Sequence, residues 1–269
     1  MKQRYFLMYL SPILRTTLLS LLLLPAVVSA AQVFADSTPV SVMIDHDDGG
    51  NSGKRHIHNL LAALNKGGCS AVLQDTSSGV PANLLFDSRP VSIVRKKRPD
   101  YQLIARAKTL EGELSVRGAI LVHSSTGIDG LSSLQGERIA FMGKKSLIGY
   151  HLPLQLLHNA GVSERRDTFF YVDNHVGTLS MLLHSDVYVA VTAEPLARRW
   201  AEYNNLSIIA VTDKVETGGW WMLKTLTKER MQQCAQALSR LDRSRYKALP
   251  AWIGGFEIIP SQQENRPSK

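Results

Sequence analysis

Cysteine is almost missing from this chain. Two cysteines in 269 residues, far apart and outside any CxxC or Cys/His zinc spacing, exclude a disulfide-built scaffold and a structural zinc module. The nucleophile signature GxSxG and the zinc-protease signature HExxH are absent, and neither cysteine sits beside a histidine in a recognised catalytic motif. No run is apolar for long enough to span a membrane: the longest, after Arg15, is about 13 residues, against the ~20 that a spanning helix needs. Internal repeats and low-complexity tracts are also lacking.

What remains is ordinary globular material. Apolar residues make up 44% and charged residues 20%, so a packed core is expected, and the length allows one large domain or two lobes of usual size. The formal charge of +8 does not point to nucleic acid. Lys2, Arg4 and Arg15 lie in a segment expected to be removed, and without them 28 basic residues face 23 acidic ones. Apart from Arg95-Lys96-Lys97-Arg98 the basic residues are scattered and carry no interleaved aromatics to stack on bases. A mildly basic surface suits an anionic ligand or a negatively charged partner.

The N-terminus reads as an export signal. Lys2 and Arg4 form a basic start, Thr16 to Ala31 contains a short apolar stretch, and Val28 and Ala30 stand at the −3 and −1 positions of a small-residue cleavage site. No cysteine follows, so a lipoprotein anchor is not expected. The mature chain then begins near Ala31 in the periplasm. In that oxidising compartment Cys69 and Cys234 are either two buried thiols or one long-range disulfide.

From Pro39 short β-rich runs alternate with helical ones. Val40 to Ile44 reads as a strand, Asp45 to Ser52 as a polar loop, and Lys54 to Asn65 as a helix with Ile57, Leu60, Leu61 and Leu64 on one face. Ser70–Leu73, Ala119–His123, Arg138–Met142, Phe169–Val172, Val187–Val191 and Ser207–Val211 are further strands with helices between most of them, which predicts a largely parallel α/β sheet. Between Gln74 and Arg117 the signals thin out around Pro81, Pro90 and Pro99, marking a domain boundary or a trimmed lobe.

Two loops carry chemistry. Gly143-Lys144-Lys145-Ser146-Leu147-Ile148-Gly149 joins a strand to a helix, where free backbone N–H groups meet the positive end of the helix dipole. It reads either as an anion site or as an ordinary loop with a serine cap. Asp45 to His58 is dense in carboxylates and imidazoles, yet it fails the EF-hand spacing at Gly49 and His56 and the P-loop spacing at Asp48 and Arg55. It reads as a solvated loop, a ligand contact through Asp47, Asp48 and Asn51, or a divalent-metal site. Trp220-Trp221 reads as a stacking surface or, more simply, as a buried return strand.

The ordered series Gly118–Ile128, Leu131–Phe141, Ser146–Pro153, Leu157–Val162, Asn174-His175 to Leu183 and Asp186–Pro195 resembles the phosphonate/phosphate-binding proteins of ABC importers. The likeness is good from Tyr101 to Trp221 and weaker to the helix around Ala237–Asp242. It implies an α/β, two-lobed type 2 periplasmic-binding-protein fold with a shortened first lobe. Residues 1–31 would be the signal peptide, 32–123 plus 214–269 lobe one, and 124–213 lobe two.

It further implies a soluble monomeric receptor that captures a small anion, with no enzymatic activity, no cofactor and no metal, and presents it to an ABC permease. The ligand would be held by Lys144, Lys145, Ser146, Gly149, Tyr150, His175, Glu194 and Asp47, where His175 reads either as a donor to the anion or as a partly buried histidine capping its helix. Where the family has hydroxyls this chain has Leu147 and Ile148, so selectivity should differ. The rival readings are a ligand sensor docking on a membrane receptor and a metal-dependent enzyme built on the Asp45–His58 loop. The resemblance also returns the helix bearing Cys234 to lobe one, near Cys69.

Overall fold

Two mixed sheets, each covered by helices, take up the strand-forming runs. The computed structural model describes residues 38–45, 53–75, 77, 79–165, 167–241 and 247–260, and from Pro39 onward the chain forms one unit. The expected export signal and most of the Asp45–Ser52 loop, Asp47 included, lie outside the described residues.

Lobe one is a six-stranded sheet. Its strands are β1 (Val40–Asp45), β2 (Ala71–Leu73), β3 (Leu84–Asp87), β4 (Tyr101–Thr109), β12 (Gly219–Leu223) and β13 (Ile253–Ile258), in the order β13-β4-β12-β3-β1-β2. Lobe two has five strands: β6 (Gly118–His123), β7 (Ile139–Met142), β8 (Phe169–Val172), β9 (Val189–Ala193) and β10 (Leu206–Val211), ordered β10-β6-β9-β7-β8. A two-stranded ribbon of β5 (Ser115–Val116) and β11 (Val215–Glu216) ties the two crossings between the lobes.

The expectation of a largely parallel sheet needs correcting. Only β2-β1-β3 and β9-β7-β8 run parallel. The strands flanking the two crossings, β4 and β12 in one lobe and β6 and β10 in the other, pair antiparallel, and so does the last strand, β13, with β4. The lobe boundary expected at Ser124 also moves. β6 is hydrogen-bonded between β9 and β10, so lobe two begins at Gly118.

The stretch from Gln74 to Arg117, faint in the sequence, holds β3, β4, β5 and the short helix α2 (Val91–Lys97). Every residue of β3 is buried. A strand covered on both faces shows no polar alternation, which is why the pattern was weak. Trp220 and Trp221 are both buried on β12 and serve opposite faces. Trp220 packs on Phe86, with ring centroids 5.2 Å apart, while Trp221 joins Leu85, Val91, Val94 and Tyr101 beneath α2. They form the buried return strand.

Helices α1 (Lys54–Lys66) and α6 (Lys228–Ser239) cover the Trp220 face. Gly67 ends α1 where a Cβ would lie 2.7 Å from that of Ala237, so the absent side chain allows α6 to come close. Two residues on, Cys69 is bonded to Cys234 of α6, with Cα atoms 4.5 Å apart, within the range a disulfide requires. The bond closes a loop of 165 residues, a long constraint on the unfolded chain. Replacing both cysteines by serine, or reducing the protein, is expected to remove about 2–5 kcal/mol of stability and to lower the melting temperature by roughly 10 °C. Denaturation with and without reductant measures this, and identical curves would contradict it.

Candidate functional site

The C-terminal ends of β3 and β7 face each other across the lobe junction. After β3 come Ser88, Arg89 and Pro90. After β7 come Lys145, Leu147 and Ile148, and the ribbon adds Val116, Val215 and Glu216. The cleft these residues enclose has about 10 Å³ of free space, room for about one water molecule. Admitting a ligand therefore requires the lobes to part.

The charges here are already partly committed. Asp45 and Asp87 lie side by side in the β1–β3 register. Arg89 bridges them, through Nε to Asp87 at 2.8 Å and Nη2 to both Asp87 and Asp45, and Arg98 adds a contact to Asp45 at 3.2 Å. Glu216 accepts a hydrogen bond from the backbone N–H of Ser92 at 3.1 Å. Lys145 is exposed and has no ion pair among the described residues. Ser88 is 6% exposed, and its hydroxyl finds no hydrogen-bond partner among the described residues. A buried hydroxyl without a partner is costly, and its place in the cleft makes it a donor that a ligand could use. Ser88 stood in the faint stretch, and nothing about a serine after a strand distinguishes it in sequence.

The structure separates the residues expected to hold the ligand. Lys145 lines the cleft. Lys144 turns to the far side, with Nζ 4.7 Å from the Tyr171 ring centroid and 3.5 Å from Glu164. Ser146 is fully buried and caps the turn that follows, its Oγ accepting from the N–H of Gly149 at 3.0 Å. That turn, Leu147–His151, is a wide π-type turn leading into α3 (Leu152–Asn159). Gly149 is a packing requirement, since a Cβ there would sit 2.3 Å from Cγ of Met142. Tyr150 points into the core of lobe two, its ring 5.6 Å from Phe141 and 5.7 Å from Tyr171. Glu194 begins α5 (Glu194–Tyr203) and pairs with Arg198 at 2.6 Å. It lines a different cavity.

His175 opens α4 (His175–Leu183) behind an Asn174 cap and is 1% exposed. Its Nδ1 accepts the N–H of Ala193 at 3.1 Å, which leaves the proton on Nε2, where no partner is found among the described residues. Burial drives its pKa down to about 3. At neutral pH this ring is therefore neutral, and its burial at the start of α4 fits the reading as a buried histidine at the head of the helix.

A two-lobed architecture with its cleft at the strand ends defines a ligand-binding receptor, and comparison with known proteins gives the family. Residues 84–263, two-thirds of the chain, match the model of the ABC transporter, phosphonate, periplasmic substrate-binding protein family, and the chain belongs to it. That family is one of substrate-binding transport proteins, not of enzymes. Comparison with curated proteins gives no match.

Among solved structures the chain is similar to a binding-protein component of a Pseudomonas aeruginosa ABC phosphonate transporter (12% identity, 82% of each chain, TM-score 0.58). It is also similar to PhnD1 of Prochlorococcus marinus in complex with methylphosphonate (14% identity, 83% of this chain and 93% of that one, TM-score 0.60). A Xanthomonas citri protein bound to ATP is a third (14%, 84% and 92%, TM-score 0.52). At these identities the likeness is one of fold, the two-lobed type 2 periplasmic-binding architecture.

The His175 geometry sets a pH dependence. The folded state keeps the ring neutral down to about pH 3, whereas the unfolded chain protonates near 6.5. The unfolded state thus binds more protons in this window, and stability falls as pH drops from about 6.5 toward 3, by about 1.4 kcal/mol per unit. At pH 4.5 His175→Gln is expected to lack this loss of about 2–3 kcal/mol. Chemical denaturation at pH 7 and 4.5 checks it, and parallel pH profiles for the two proteins would refute it.

Proposed function

We propose that this protein is exported to the periplasm, closes on a small anion between Ser88 and Lys145, and passes it to the permease of an ABC importer. The unpartnered Ser88 hydroxyl carries this reading, because it stands with the uncommitted cation Lys145 around one cleft at the strand ends, where open α/β sheets bind ligands. Family membership supports the transport role, and the methylphosphonate in the Prochlorococcus relative supports an anionic head group. The apolar Leu147 and Ile148 in the cleft wall favour an anion with few acceptor positions to satisfy.

The reading as a metal-dependent enzyme draws nothing from the described residues, among which no three His, Cys, Asp or Glu side chains form a metal-binding group. Asp47 and Asp48 lie outside them. Nothing in the cleft favours the sensing reading over import.

Two measurements test the proposal. Calorimetry with methylphosphonate, phosphate and acetate should find at least one ligand whose affinity drops about tenfold in Ser88→Ala and tenfold or more in Lys145→Ala. The Lys145 effect should shrink at high salt, and equal affinity in both variants would remove this cleft as the site. N-terminal sequencing of exported protein should begin at Ala31 or Gln32, and a retained Met1 would contradict export by cleavage.

A further inference from the structure

A second cavity, of about 330 Å³, lies at the hinge and is of the size that takes a small organic ligand. Its walls come from both lobes: Thr109, Glu111 and Glu113 from the end of β4 and the loop into the ribbon, and Glu194 and Arg198 from lobe two, with Arg117 and Lys214 at the outgoing and return crossings. The ribbon is the partition between this cavity and the cleft. Ser115, Arg117 and Lys214 face one space, Val215 and Glu216 the other, and Val116 contributes to both.

The charges around the cavity balance, three cations against three carboxylates, but they are not held equally closely. Glu113 is held by Lys214 at 2.8 Å, and that hydrogen bond keeps its carboxyl below the usual range. Glu194 is held by Arg198 at 2.6 Å. Two groups of opposite sign are held less closely. Arg117 is ion-paired to Glu194 through Nε at 3.8 Å, beyond hydrogen-bonding distance, and that buried Nε has no hydrogen-bond partner among the described residues. Glu111, across the same space, has no ion pair among them. A guanidinium suits a carboxylate, with which it makes charge-assisted paired bonds, and a free carboxylate suits an ammonium.

We infer that this cavity is a second binding site, for a small zwitterion of the amino-acid type, whose carboxylate is taken by Arg117 and whose ammonium is taken by Glu111. Because the two lobes both line it, a bound zwitterion favours the closed lobe arrangement of this structure over the parted one.

The test uses the mature protein with glycine, L-alanine, L-serine and L-glutamate as probes, screened by thermal shift and then titrated by calorimetry. Methylamine and acetate, each bearing one of the two charges, are the controls. At least one amino acid is expected to bind, ten times or more tightly than either control. Its affinity should fall at least tenfold in Arg117→Gln and in Glu111→Gln, and stay within twofold in the cleft variant Ser88→Ala. Glu111 is exposed, so its variant reports even where Arg117→Gln fails to fold. Absence of binding by every probe would overturn the inference. So would binding that survives Glu111→Gln, and binding that Ser88→Ala abolishes, which would place the amino acid in the cleft instead.

Discussion

Thr212 donates its backbone N–H to the carbonyl of Gly118 at 2.9 Å, and the N–H of Gly118 donates to the Thr212 hydroxyl at 2.9 Å. This reciprocal pair joins the outgoing and returning passes of the chain between the lobes. Beside it the buried Thr217 hydroxyl donates to the carbonyl of Ala107 at 2.6 Å, fastening the return pass to lobe one. Gly118 tolerates no side chain, since a Cβ would lie 2.3 Å from the carbonyl oxygen of Ile148. The same junction that ties the two passes therefore seats the turn that lines the cleft. Strand order, cleft and hinge cavity all depend on it: a lobe that is left and re-entered must accept the returning strand antiparallel, and a double pass leaves space on each of its two sides.

That dependence explains which parts of the fold were legible. Elements closed by local contacts could be read directly. α1 shows its apolar stripe at helical spacing because one face meets the sheet and the other meets water. β1 and β7 follow turn signals and carry apolar runs. What could not be read was pairing over long distances. No local pattern tells that β12, some 130 residues after β3, lies between β3 and β4. The disulfide shows the same limit from the other side: oxidising export made a bond thinkable, but the approach of α6 to α1 depends on Gly67 facing Ala237, a tertiary fact.

The site was half legible for a related reason. A loop after a strand can be placed at the cleft edge from topology, and Lys145 was found that way. Which way each neighbour points is decided by the turn. The wide turn after Ser146 sends Tyr150 into the aromatic cluster of Phe141 and Tyr171, while Lys144 lies over Tyr171 instead of the cleft. Ser146 reads in sequence as ligand donor or as cap, and its Oγ accepts the N–H of Gly149 as a cap does. Ser88 had no sequence signal at all, because its significance lies in being buried without a partner, and burial of that kind follows from the meeting of two lobes.

The electrostatics of the cleft then limit what an anion can use there. Asp45 and Asp87 are neighbours across β1 and β3, and two carboxylates so placed repel unless cations lie between them. Arg89 and Arg98 fill that need, so their charge is spent on lobe one itself. Removing Arg89 would uncover Asp87, which is 1% exposed, and an uncompensated buried carboxylate costs several kcal/mol. Arg89 is thus a fixture of the fold before it is a ligand contact. Glu216, on the N–H of Ser92, adds a negative charge to the same wall. On the proposed reading one uncommitted cation, Lys145, and one neutral donor, Ser88, face the ligand among the described residues. A singly charged head group is matched by that pair, whereas a dianion would bring a second charge into a closing, water-poor space with no counter-ion to meet it. The apolar Leu147 and Ile148 in the cleft wall and the pairing of Arg89 by Asp87 act in the same direction, since neither leaves the donors that a more highly charged anion would need.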